Sequence, residues 1–216
     1  MSILSGVGGS LDTKKALGGI DRFGSAATRP LSTGYIGFAA IGNITEVQGA
    51  GLVQWTVGFN TGIFFEGVSA AICGPMAFPQ FSWEVWCKGL ATTGIPSNAT
   101  ITGIRAKYVV QQDSASGGST ATWAANTLVV GGAKVGNPMI PSTQSPSYSD
   151  VLPIDSYTTY YFGSPNNMWG LTTAQLNPTS IAASDFGVSF QFFSGISGSN
   201  IVNVDYVAIN IFYTVP

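Results

Sequence analysis

The segment "ATITGIRAKYVVQQ", residues 99–112, carries an alternating pattern through its middle. Ile104, Ala106, Tyr108 and Val110 recur at every second position, with Arg105 and Lys107 between them. Successive side chains of an extended chain point to opposite faces, so this period gathers the apolar set on one side and the cations on the other. The spacing predicts an antiparallel strand with one face packed and one face wet. No apolar pattern of helical period is sustained anywhere in the chain, and the best helical candidate is a single turn at 172–177.

Outward from this strand the same texture continues. Short apolar runs are cut by Gly, Pro and Asn at 35–42, 52–59, 62–72, 80–88, 127–130, 157–162, 186–193 and 200–214, and each reads as a strand. Gly131-Gly132 reads as a tight hairpin turn, 194–200 as a longer hairpin connection, and 111–122 as a mobile low-complexity loop. In 201–213, strict alternation puts Ile201, Val207, Ile209, Ile211 and Tyr213 on one face and Val204, Tyr206, Ala208 and Phe212 on the other. A strand that is apolar on both faces is expected to be covered on both. The fold expected is all-β: an antiparallel β-sandwich, jelly-roll-like, over residues 35–216.

Residues 1–34 differ. They are rich in Gly, Ser and Thr, show no sustained period, and carry Lys14, Lys15, Arg22 and Arg29, half of the eight basic residues. A segment that cannot bury a core of its own orders on docking. We expect an extended N-terminal docking arm, with Ile20, Phe23 and Leu31 as apolar anchors and Arg22 and Arg29 as cations for acidic partner groups.

Composition narrows the function. Charged residues make up 8% of the chain, against about 25% in ordinary globular domains. The surface must then be Ser, Thr, Asn, Gln and Gly, or be covered by neighbours, and a homo-oligomer is expected. The net charge of −2 provides no global field for nucleic acid. "MSILSGVGGS" has neither the basic start nor the apolar run of a signal peptide, and no uncharged stretch reads as a membrane span. Cytosolic synthesis is expected, with Cys73 and Cys87 as buried thiols.

The chain lacks histidine, the commonest general base and zinc ligand. It contains no nucleophile elbow, no phosphate-binding loop and no dinucleotide fingerprint. The acids Glu46, Glu66, Glu84, Asp150 and Asp155 are scattered, with nothing in the sequence to pair them for glycoside hydrolysis. No enzyme, metal or cofactor is expected. The aromatic residues, five Trp, eight Tyr and thirteen Phe, are the richest chemistry present. Trp123, Tyr157, Tyr160 and Tyr161 are candidate sugar-stacking or interface residues.

Three segments occur in a set order: "IPSNATITGIRAKYVV" (95–110), "MWGLTTAQLNPTSIAASDFGVSFQF" (168–192) and "VDYVAINIFYT" (204–214). Together they resemble a β-sandwich module found in many bacteriophage virion proteins and some bacterial secreted proteins. Its outline is P-x-G-A-T-I-x-G-I, a W-G turn, D/N-F-G-V and a closing V-D-Y/H-V-x-I-x-V-Y-Y strand. The likeness covers about residues 90–214; Ser97-Asn98 departs from the usual small-Gly pair, and the first 90 residues are not covered. Gly170 suits a turn that folds the Trp169 indole inward, where its N–H needs a partner. Asp185 suits a cap on the turn before Phe186-Gly187. The resemblance implies a non-enzymatic virion protein, assembled in the host bacterial cytoplasm: a capsid decoration (cement) protein, or else a tail or head fibre or receptor-binding component. Its expected partners are a major capsid or tail protein and copies of itself, a trimer by likeness to phage decoration proteins. A carbohydrate-binding module for a host surface glycan is the alternative.

Overall fold

The computed structural model describes residues 30–38, 44–47, 52–57, 70–77, 79–91, 93–113, 120–139, 151–195 and 199–216. Among the described residues eleven strands are seen: β1 (Pro30–Ile36), β2 (Ile44–Val47), β3 (Trp55–Val57), β4 (Ala71–Ala77), β5 (Glu84–Lys88), β6 (Thr100–Asp113), β7 (Ala121–Val130), β8 (Ala133–Val135), β9 (Thr158–Gly163), β10 (Gly187–Ser194) and β11 (Ser199–Thr214). A short helix, α1 (Pro178–Ala182), precedes β10.

The strands form two antiparallel sheets. The first runs β3-β4-β11-β6-β9, with β1 also paired to β11; the second runs β2-β5-β10-β7-β8. From β4 onward, successive strands cross between the sheets, save for the β7–β8 hairpin, so that β4-β11-β6-β9 faces β5-β10-β7-β8. That winding is the eight-stranded jelly roll, two Greek keys folded onto each other. The fold expected from the sequence is the one observed.

The central strand β11 pairs with β6 along its whole length. Its other edge is shared by β4 at the start and β1 at the end. A bulge corrects the strict alternation read from the sequence. Val204 pairs with Val110 and Tyr206 with Val109, leaving Asp205 as the extra residue. One inserted residue reverses the side-chain parity. Val202 and Val204 therefore join Val207, Ile209 and Ile211 in the core, and Ile201 does not.

Three further expectations are refined. Of the twelve residues expected as loop at 111–122, five are strand, since β6 runs to Asp113 and β7 begins at Ala121, and 114–119 lie outside the described residues. At 172–177 a single turn forms, the Leu176 N–H donating to the Thr172 carbonyl at 2.9 Å, and the helix proper follows from Pro178, where Pro occupies the first turn and Asn177 and Ser180 make a reciprocal capping box, each N–H donating to the other's side-chain oxygen at 3.0 Å. The boundary expected after residue 34 falls within β1, which begins at Pro30. Ile20, Arg22, Phe23 and Arg29 lie outside the described residues. The Gly131-Gly132 turn is observed, both residues having positive φ (62° and 73°) as the tight β7–β8 hairpin requires.

The core is aromatic. Trp55, Tyr108, Trp123, Phe162, Phe190 and Phe192 form a connected set of tilted and edge-on rings between the sheets. Cys73 and Cys87 are free and buried, and burial raises the Cys87 thiol far above its ordinary pKa. One end of the sandwich is closed by buried amides. Gln112 donates to Asn200 (2.7 Å), Asn200 donates to Ser194 Oγ (2.7 Å), and the Ala121 N–H donates to Gln112 Oε1 (2.8 Å). The opposite end is closed by Trp169. It is fully buried with φ +56°, and its Nε1 donates to the Ile104 carbonyl at 3.0 Å.

Candidate interaction face

The outer face of the first sheet carries the side chains that the core does not use. Its floor is β6, whose outward positions are Arg105, Lys107, Val109, Gln111 and Asp113, while Ile104, Ala106, Tyr108 and Val110 point into the core. Strand β9 lies on one side, pairing Tyr161 with Lys107 and Thr159 with Val109. Strand β11 lies on the other, pairing Asn210 with Arg105, Ala208 with Lys107 and Tyr206 with Val109. Strand β1 then sets Tyr35 beside Asn210.

One half of this face is aromatic and cationic. The rings of Tyr35 and Tyr161 lie 5.8 Å apart, although their strands are separated by β11 and β6. Lys107 Nζ lies 5.1 Å from the Tyr206 ring and 6.0 Å from that of Tyr35. The Arg105 guanidinium stands 5.7 Å from the Phe212 ring, and its buried Nε has no hydrogen-bond partner among the described residues. Long cationic side chains lying on aromatic rings cover apolar surface while keeping their charge near water. Part of the cover expected for the second apolar face of β11 thus comes from β6 within the same chain.

The other half is acidic and amidic. Asp113 Oδ1 accepts from Asn203 Nδ2 at 2.7 Å and from Gln111 Nε2 at 3.1 Å. Asp205, in the bulge, is buried. Burial first, then the carboxylates of Asp205 and Asp113, raise the Tyr157 phenol above its ordinary pKa. Among the described residues no group of three or more His, Cys, Asp or Glu is arranged to hold a metal.

The aromatic candidates separate. Tyr157 and Tyr161 are exposed at 45% and 54% and belong to the face. Tyr160 points inward, its ring 5.7 Å from Trp123. Trp123 corrects the sequence reading: it is 5% exposed, within β7, and packed against Tyr108 and Phe192. Its segment is a strand, and no ring face is open to a sugar. Leu31, from the arm, is an exposed residue of β1, paired with Tyr213. Sequence reasoning places Arg105 and Lys107 outward but misses Tyr35, Tyr206 and Phe212 as their partners. Register across three strands, β1, β11 and β6, brings them together, and no local spacing signals it.

Among the described residues no helix is long and apolar enough to cross a membrane. No protein-family model matches the chain, and no curated protein matches it.

Proposed function

We propose that this chain is a non-enzymatic structural protein of a bacteriophage particle, a capsid decoration protein by preference, anchored by residues 1–29 and presenting the outer face of its larger sheet as an interaction surface. The observation that carries the reading is the placement of chemistry. The aromatic, cationic and acidic side chains gather on an open sheet face, a geometry suited to binding another surface rather than to turning over a substrate. The jelly roll supports it, since viral capsid and lectin domains share that winding, although a fold alone does not assign a function. The order of the three segments that resemble phage virion modules supports it independently. A tail or head fibre is the nearest variant.

Deleting residues 1–29 removes nothing of the described sandwich and tests the arm. The expected product is folded and is absent from particles assembled in its presence. Incorporation at full occupancy would move the anchor onto the sandwich, and absence of the intact chain from purified particles would overturn the virion reading.

A second reading, binding of a host surface glycan, is favoured by exposed Tyr157 and Tyr161 beside amide and charged groups. Host-cell polysaccharide that binds the intact chain but not Tyr161→Ala would favour it.

A further inference from the structure

The outer face of the larger sheet is complementary to itself. Along β6 the outward positions read Arg105, Lys107, Val109, Gln111, Asp113, so cation and acid stand four residues to either side of Val109. Tyr161 lies beside Lys107, and the same register continued by one residue brings Tyr157 beside Gln111. The row through the middle, Thr159, Val109 and Tyr206, carries no charge.

We propose that this face binds a second copy of the chain, related by a two-fold axis that lies along the middle row and runs across the strands. The inference rests on the reading that this face is an interface, and it supplies the occupant. Rotation about that axis reverses the strands while keeping β6 over β6. Arg105 of each copy then stands over Asp113 of the other, Lys107 over Gln111, and exposed Tyr161 over exposed Tyr157. Exposed Thr159 and half-buried Tyr206 meet their copies at the centre, beside the buried Val109, and the charged pairs fall at the two ends, the usual division of an interface into a less polar centre and a polar rim. Each pairing occurs twice, as a two-fold contact requires.

The rim groups suit these roles. The half-buried Arg105 side chain holds its guanidinium against Phe212, which fixes its charge at this end of the face. Asp113 is already fixed by Asn203 and Gln111 through Oδ1. Four strands at ~4.8 Å and eight residue steps at ~3.3 Å span roughly 20 by 26 Å. The footprint of roughly 500 Å² is smaller than the ~800 Å² per partner of tight complexes. The expected pairing is therefore weak, with a dissociation constant of about micromolar order, and is weakened by salt. It replaces the trimer expected from resemblance by a dimer.

The test is sedimentation of the full chain and of Arg105→Asp and Asp113→Arg. The wild type should dimerise. Each variant alone sets like charge against like and should associate about tenfold more weakly or worse. An equimolar mixture should recover the dimer, because the two acids at the rim of one variant then face the two cations at the rim of the other. Thr159→Cys, which alters no charge, should be joined into a dimer by a short bismaleimide, and this readout stands if a charge variant fails to fold. A wild type that stays monomeric at high micromolar concentration, a trimer unaffected by the reversals, or a mixture that does not recover would each overturn the proposal. A monomer that still occupies phage particles would overturn the pairing alone; a dimer absent from particles would overturn the virion reading alone.

Discussion

Replacing Trp169 with Ala tests whether the segment between β9 and β10 is built for packing. The indole is fully buried and its Nε1 donates to the Ile104 carbonyl at 3.0 Å. The backbone is held on both sides: its N–H donates to Asn167 Oδ1 at 2.7 Å, and its carbonyl accepts from the Asn137 N–H at 2.6 Å. Emptying a core aromatic costs about 3–5 kcal/mol, and the orphaned Ile104 carbonyl adds about 1 kcal/mol. Domains of this kind have only about 5–15 kcal/mol in total, so the variant should lose a third or more of its stability. Trp169→Phe keeps most of the apolar volume and loses the hydrogen bond, so it should cost about 1–2 kcal/mol. Urea unfolding followed by far-ultraviolet circular dichroism reads both values. A loss below about 1 kcal/mol for Trp169→Ala would refute the packing account, and the more so if surface or glycan binding disappeared instead.

Three other perturbations follow from the same geometry. Asn200→Ala leaves Gln112 and Ser194 without their buried partner and should lower stability by about 1–3 kcal/mol in urea titration. Gly187→Ala should destabilise more than any surface change, because an added Cβ would overlap the Cys87 carbonyl of the paired strand; the thermal midpoint measures it. Tyr108 donates to Asn126 Oδ1 at 2.7 Å, and its pKa is raised well above the ordinary value, chiefly by burial and then by Cys87. A raised acid holds its proton longer in the folded state. Its stabilisation is therefore complete below the unfolded phenol pKa of about 10 and falls as the pH rises beyond it. Urea midpoints should drop above that pH, and Tyr108→Phe should flatten the drop.

Strand content is legible because alternation is local: 99–112 and 186–193 correspond to β6 and β10 almost residue for residue. What the sequence conceals is parity and register. The bulge at Asp205 has no Gly or Pro to mark it, so strict alternation exchanges the two faces of β11 at its N-terminal end. The start of β7, "ATWAAN", reads as loop because small residues dilute its pattern, and Trp123 within it then reads as exposed. The interaction face joins Tyr35, Lys107, Tyr161 and Tyr206 from β1, β6, β9 and β11, residues up to 171 positions apart in the chain (206 less 35). Only the order of strands makes them neighbours, whereas the Trp169 turn, with its inward indole, can be read from Gly170 alone.

Electron microscopy of purified phage particles, searched for this chain, is the decisive measurement for the proposed virion role. The account predicts density for the sandwich repeated over the capsid with the symmetry of its lattice, with residues 1–29 running onto the neighbouring capsid protein. Particles complete in every other component, with no density for this chain on head or tail, would contradict it.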